Sequence, residues 1–120
     1  MKICLLGNNL TNLVLANILL KKKINVDIIS QDNPSLFINT IRTIAISNEN
    51  YEFLRQNIKG FANFGWPTEK IKIYSANNKS SELFEFKNNN QSNFFLLKYS
   101  TLYNLMKKNK SLKFINLKNY

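Results

Sequence analysis

The order of hydrophobic patterns along the chain predicts a mixed α/β fold. Three observations carry that expectation. An unbroken apolar run behind Lys2 ("ICLL") is followed by a polar turn and then by a stretch of helical period. A second apolar run follows at 24–30. Further on, two segments, 70–74 and 82–86, read as a strand pair set between helical stretches. Runs of 4–8 apolar residues fit strands buried in a parallel sheet, alternation fits strands with one solvated face, and a repeat near 3.6 fits helices.

Taken in order, residues 2–6 read as a strand buried on both faces, with Cys4 packed in the core. Leu10, Leu13, Val14 and Ile18, with Ala16, keep a helical period to about Leu20, and "INVDIIS" at 24–30 reads as a second buried strand. Strand, helix and strand within about thirty residues make a parallel βαβ unit. Residues 31–41 read as a loop. Ser47 suits an N-cap with Glu49 in the first turn, Tyr51, Leu54 and Ile58 share one helical face, and Gly60 follows the helix end. "GWP" at 65–67 marks a turn. "KIKIY" at 70–74 and "ELFEF" at 82–86 make an antiparallel pair with one face solvated, and "FFLL" at 94–97 reads as a buried strand. Ser100 suits the cap of a helix carrying Leu102, Tyr103, Leu105 and Met106, and "LKFINL" at 112–117 makes a last strand. The "KNNNQSN" run at 87–93 is a polar loop. Few helices are available to cover a parallel sheet on both faces, so the chain reads as the front part of something longer, or as one that leans on a partner.

Composition narrows the function. The 120 residues suit one domain with a real core, at 44% hydrophobic and 12% aromatic content. The apolar runs are too short and too interrupted by Asn to span a bilayer, and the N-terminus has no signal-peptide pattern. The expected setting is therefore the reducing cytoplasm, with contact at the inner membrane face left open. A lone Cys4 in a chain with no His speaks against a thiol nucleophile. The formal charge of +10 is carried almost wholly by Lys, in short groups such as 21–23 near predicted helix C-termini, where cations suit the helix dipole. No aromatic-basic interleaving of the RNA-binding type is visible, so nucleic acid is not the expected partner.

The chemistry concentrates in "KICLLGNNLTNLVLAN", Lys2 to Asn17, whose strand-turn-helix is where a dinucleotide-binding protein places its phosphate loop. Three glycines normally serve there. The first permits the turn, the second lets backbone approach the pyrophosphate, and the third lets helix and strand pack closely. Here those positions are Gly7, Asn9 and Asn12. Asn tolerates unusual φ better than most residues, and Asn9 can cap the helix. Asn12 places a polar side chain where the helix presses on the sheet. Leu10 and Thr11 open the helix, whose free N–H groups favour an anion, and the Thr11 hydroxyl can add a donor. The acid expected at the end of the second strand is replaced by Ser30, with Asp32 two residues on, and Lys23 stands where the helix-to-strand turn usually carries Gly. From these residues alone, an altered nucleotide site, a decayed one and an ordinary structural turn all stay open.

The next segment carries a resemblance. "IRTIAISNENYEFLRQNIKGF" at 41–61 is similar to the stretch after the second strand in the FAD-dependent aromatic hydroxylases of ubiquinone biosynthesis, a family of flavoprotein monooxygenases. The matching features are Arg42 leading the box Thr43, Ile44, Ala45, Ile46 and Ser47, then Gly65–Trp66. "KIKIYSAN" and "ELFEF" resemble that family's hairpin, and "FFLLKYSTLYNLMKK" its strand leading into a helix. The resemblance implies a Rossmann-like βαβ core for FAD with an inserted antiparallel pair, incomplete relative to the full fold. Residues 1–120 would be the N-terminal part of an FAD-binding domain, with about 68–97 starting an interleaved substrate-domain sheet. It implies hydroxylation of a prenylated phenol with NAD(P)H and O2 consumed, in company with other ubiquinone-biosynthesis proteins. Carried over by position, Gly7, Asn9, Leu10, Thr11 and Asn12 would face the FAD pyrophosphate, Ser30 the adenosine ribose, and Arg42 and Lys98 the length of the cofactor; no catalytic residue and no metal ligand is implied. The isolated 120 residues are expected to be inactive, since a later Gly-Asp motif of the family falls beyond them. Two rivals remain: a flavin-free scaffold or partner subunit that keeps the fold, and an NAD(P)-binding Rossmann protein. The pair at 70–86 argues against the latter.

Overall fold

The computed structural model describes residues 1–31, 41–62, 64–76, 81–87, 92 and 94–117. Most of the loops expected at 31–41 and 87–93, and Asp32 with them, lie outside the described residues. Strand β1 (Lys2–Leu6), helix α1 (Leu10–Lys21) and strand β2 (Asn25–Ser30) form the expected parallel unit, with Ile3 opposite Val26 and Leu5 opposite Ile28. Val26 and Ile28 are buried, as are Leu13 and Ala16 on α1, so the helix packs its apolar stripe on one face of the pair. The turn back from α1 runs through Lys23 at φ 62°, a left-handed conformation that Gly would take without strain.

Two expectations for β1 are corrected. It is the outer strand of its sheet, so Lys2, Cys4 and Leu6 are exposed while only Ile3 and Leu5 turn inward. Cys4 therefore does not pack in the core. It sits opposite Asp27 on the face away from α1, beside the Lys2–Asp27 ion pair at 2.6 Å.

Strand β3 (Thr43–Ser47) was not anticipated as a strand. It leads directly into α2 (Asn48–Asn57), where Ser47 accepts a hydrogen bond from Asn50 N as the expected cap. Tyr51, Leu54 and Ile58 are buried together. The expected turn at 65–67 instead begins a short strand, β4 (Trp66–Thr68), entered through Gly65 at φ 102°. A Cβ on Gly65 would lie 2.9 Å from Leu97 Cδ2, so any other residue would strain the backbone and make the Leu97 side chain shift. The reason for the strand is its partner: β7 (Phe94–Lys98) lies between β3 and β4, antiparallel to both. In that place β7 alternates, with Leu97 buried, Phe95 half-buried and Phe94, Leu96 and Lys98 exposed, rather than running buried throughout. Phe95 stacks on Tyr51 with ring centroids 3.7 Å apart, and Phe61 closes on the same Tyr51 at 5.1 Å.

Strands β5 (Lys70–Tyr74) and β6 (Glu82–Lys87) form the expected antiparallel pair as a separate two-stranded sheet. Its ionic face joins Lys70 to Glu85 at 3.0 Å and Lys72 to Glu82 at 2.7 Å. The opposite face, with Ile71 across from Phe86 and Ile73 from Phe84, is apolar yet largely uncovered. The expected single solvated face thus becomes two.

Helix α3 (Tyr99–Lys107) starts one residue before Ser100, with Lys98 as N-cap and no side-chain capping bond, so Ser100 is not the cap. The start is set by β7, which runs straight into the helix while Tyr99 N donates to Arg42 O at 2.8 Å. The last strand, β8 (Lys113–Asn116), lies parallel to β2. The closing strand-helix-strand therefore joins two sheets instead of making a second unit within one. Leu102, Tyr103 and Met106 on α3 share the core with α1. Asn17 ties the two helices by donating to Met106 O at 3.0 Å and accepting from Asn109. The lysines expected near helix C-termini are there, with Lys21 and Lys107 each in a last turn, and Arg55 takes the same place in α2. The whole is an α/β fold with a Rossmann-like βαβ core and an inserted antiparallel pair.

Candidate functional site

At the top of β1, Gly7 turns the chain at φ 97° and donates its N–H to Ile29 O at 2.7 Å, which fixes the loop against the end of β2. Ser30 follows Ile29, so the strand pairing alone brings it beside the loop. Asn9 caps α1: its Oδ1 accepts from Asn12 N at 2.9 Å. Asn12 in turn donates through Nδ2 to Leu6 O at 2.6 Å and Gly7 O at 2.9 Å. A Gly at this place would let helix and strand approach; Asn12 keeps them apart by one side chain and satisfies both carbonyls with its amide. The space beside Gly7 is accordingly shared by the two asparagines, with Asn9 Nδ2 3.3 Å and Asn12 Nδ2 3.6 Å from where a Cβ would stand.

The cap spends the amide of Asn12 but not those before it. Among the described residues, the N–H groups of Leu10 and Thr11 donate to no protein group. They are the open donors at the positive end of a twelve-residue helix. Thr11 is exposed beside them.

Three residues join this site that the sequence patterns did not single out. Asn8, in the turn itself, is 97% buried, and neither its Oδ1 nor its Nδ2 has a partner among the described residues. An amide left so costs about 1–3 kcal/mol, which makes it the most unusual side chain of the loop. Tyr103, buried in α3, donates its hydroxyl to Asn8 O at 3.4 Å. Its ring stacks on Tyr99 at 6.0 Å, and the Arg42 guanidinium lies 5.5 Å over the Tyr99 ring. This ladder of two rings one helical turn apart links Arg42 to the loop. Helical spacing showed Tyr103 as a core position; nothing in the pattern could show that its hydroxyl reaches the turn.

Lys98 stands opposite Thr43, next in the chain to Arg42, across the β3–β7 pairing. Its side chain lines a cavity of about 300 Å³ with Phe64, Trp66, Leu97, Thr101 and Leu102. So Gly7, Asn9, Leu10, Thr11, Asn12 and Ser30 are brought together, Arg42 is tied to them through aromatic rings, and Lys98 borders a cavity of its own. Among the described residues no cluster of potential metal ligands occurs, and no helix is long and apolar enough to cross a membrane.

By sequence, no family profile and no curated protein matches the chain. By structure, the fold is shared with many solved proteins. A probable FAD-dependent monooxygenase from Pseudomonas aeruginosa aligns at a TM-score of 0.72 and 12% identity, over 97% of this chain and 32% of its own. The p-nitrophenol 4-monooxygenase of Pseudomonas putida aligns at 0.72 and 11%, over 94% and 31%. Klebsiella pneumoniae HpxO, solved with FAD bound, aligns at 0.65 and 16%, over 95% and 31%. At such identities the likeness is one of fold. The chain spans about a third of the length of these structures. It carries, over that third, the fold seen in FAD-dependent aromatic monooxygenases.

Proposed function

We propose that this chain is the FAD-binding N-terminal portion of a flavin-dependent monooxygenase, and that the loop after Gly7 receives the cofactor's pyrophosphate. The observation that carries the reading is the pair of unspent amides at Leu10 and Thr11, beside a Gly in the required conformation and at the foot of a helix. The residues fit the group in kind: two backbone donors and the exposed Thr11 hydroxyl for phosphate, Ser30 for a ribose hydroxyl, and Arg42 for an anionic oxygen or the flavin edge. The unpartnered Asn8 amide adds a buried polar group beneath the turn, and Asn9 and Asn12 hold that turn in shape.

When bound, the flavin would supply the redox chemistry with NAD(P)H and O2, and the protein would supply placement and electrostatics. Residues 1–120 would form the cofactor-binding part, with about 68–97 opening the substrate-domain sheet. The substrate class we assign is a prenylated phenol of ubiquinone biosynthesis. A prenyl tail would hold that substrate at the inner face of the membrane, where the excess of Lys favours peripheral contact. The test is to purify the chain, and the chain extended along its reading frame, and to look for bound yellow flavin. An extended protein that takes up FAD supports the reading; one that never does removes it.

One observation favours a second reading, a flavin-free scaffold or partner subunit. The two asparagines share the space beside Gly7, and between them they bond the Asn12 amide and the Leu6 and Gly7 carbonyls without any ligand. Replacing both by Gly separates the two. Flavin uptake gained only on replacement means that the native loop has closed.

A further inference from the structure

The cavity beside Lys98 belongs to none of the residues assigned to the pyrophosphate loop. Its lining is about as polar as it is apolar: Phe64 and Trp66 from the segment entering β4, Leu97 from β7 and Leu102 from α3 supply the apolar part. Lys98 and Thr101 also line it. Lys98 has no carboxylate partner among the described residues, and the Thr101 hydroxyl makes no hydrogen bond among them. Among the described residues no acidic side chain lines it. Its shape depends on Gly65, where any Cβ would strike Leu97 and push the two walls apart. At about 300 Å³ it matches the small end of ligand cavities, which pair apolar walls with a few placed polar groups.

We infer that this cavity is a binding site for an apolar monocarboxylate, with the apolar body between Trp66 and Phe64 and the carboxylate on Lys98 and Thr101. An exposed large aromatic and an unpaired cation at one mouth select a ligand having both characters. A neutral apolar molecule leaves Lys98 unused, and an inorganic anion leaves Trp66 and Phe64 in water. Binding involves no covalent step and no flavin.

Trp66 is the one tryptophan of the chain, so its fluorescence reports on the cavity directly. Hexanoate, transparent in the tryptophan range, is the probe, with 1-hexanol and inorganic phosphate beside it. The expected result is a saturable change with hexanoate, binding roughly fivefold weaker for 1-hexanol, and none with phosphate, since an exposed ion pair is worth at most about that factor. Lys98→Gln, a change at an exposed position, removes the preference for hexanoate over 1-hexanol. Thr101→Val weakens hexanoate alone. No saturable change with hexanoate overturns the inference, as does equal binding of hexanoate and 1-hexanol, or a preference that survives Lys98→Gln. Lys98 is shared with the residues that the family resemblance sets along the cofactor, but the titration reads Trp66, which is not among them, so its failure and the failure of flavin uptake are told apart.

Discussion

Single residues show where this chain departs from the simplest solution for its fold. Asn8 keeps both polar atoms of its amide buried without a partner. Asn8→Val, closer to Asn in volume than Leu is, should therefore raise stability by about 1 kcal/mol, measured by chemical denaturation without ligand. If the amide serves the cofactor, the same variant should take up less flavin; unchanged or lower stability would contradict the account of an orphaned amide. Lys23 is the second departure. A left-handed backbone costs an L-residue about 1–2 kcal/mol, of which Gly returns part to chain entropy. Lys23→Gly should stabilise by about 0.5–1 kcal/mol, seen as a melting rise of a few degrees. Lys23 was legible in the sequence as an anomaly because a Gly is usual in that turn, and the loop because two glycines are missing, but Asn8 was not. That Asn9 caps the helix was legible too, whereas the bridge that Asn12 makes to two carbonyls was not. A side chain that caps its own helix and one that bridges two carbonyls are the same letter in a sequence.

Among the elements, local pattern foretold those whose neighbours are local. The first βαβ unit, α2 with its Ser47 cap, and the β5–β6 pair all follow from periodicity within a short window. The elements that pattern missed are made by distant partners. Trp66–Thr68 is a strand because Phe94–Leu96 lies beside it on one edge of β7, and β3 is a strand because the whole of β7 lies beside it on the other. Cys4 is exposed because β1 ended at an edge, a fact about the sheet and not about the run "ICLL". The hairpin carries its own prediction. A hydrogen bond from Lys70 holds the Glu85 carboxyl below its ordinary 4.5, while the bond to Glu82 raises Lys72 above its ordinary 10.5. A lowered acid stabilises fully above its ordinary value and ceases to do so as pH falls through the lowered one. A raised base stabilises below its ordinary value and loses that effect only as pH climbs through the raised one. Between those limits the ionic face is constant, so the protection of the β5 and β6 amides, each rate divided into the intrinsic rate at the same pH, should fall on going from about pH 7 to about pH 3 and hold on going to about pH 9. Protection unchanged in acid would show that these exposed pairs contribute nothing.

The whole molecule is long and thin for its size. Its radius of gyration is 17.8 Å, where a compact chain of this length has roughly 14 Å, and it measures 56 by 31 by 20 Å. The surplus surface is apolar where the hairpin stands away, with Phe84 64% and Phe86 53% exposed. Patches of that kind on a protein mark a contact with another surface. The 120-residue chain alone is expected to self-associate through this face, and Phe84→Ser with Phe86→Ser should return it to a monomer by sedimentation or light scattering. A wild-type monomer would contradict this. The fold as a whole was readable because several weak patterns came in a definite order; the site was readable only as a position, since whether an anion is welcome depends on which amides remain unspent. That is the point to measure. With amide resonances assigned, FAD is added and the shifts are followed by nitrogen-15 NMR. The largest changes should fall on Leu10 and Thr11, with Asn12, already bonded to Asn9, moving less. A titration that leaves Leu10 and Thr11 where they began would contradict the cofactor assignment.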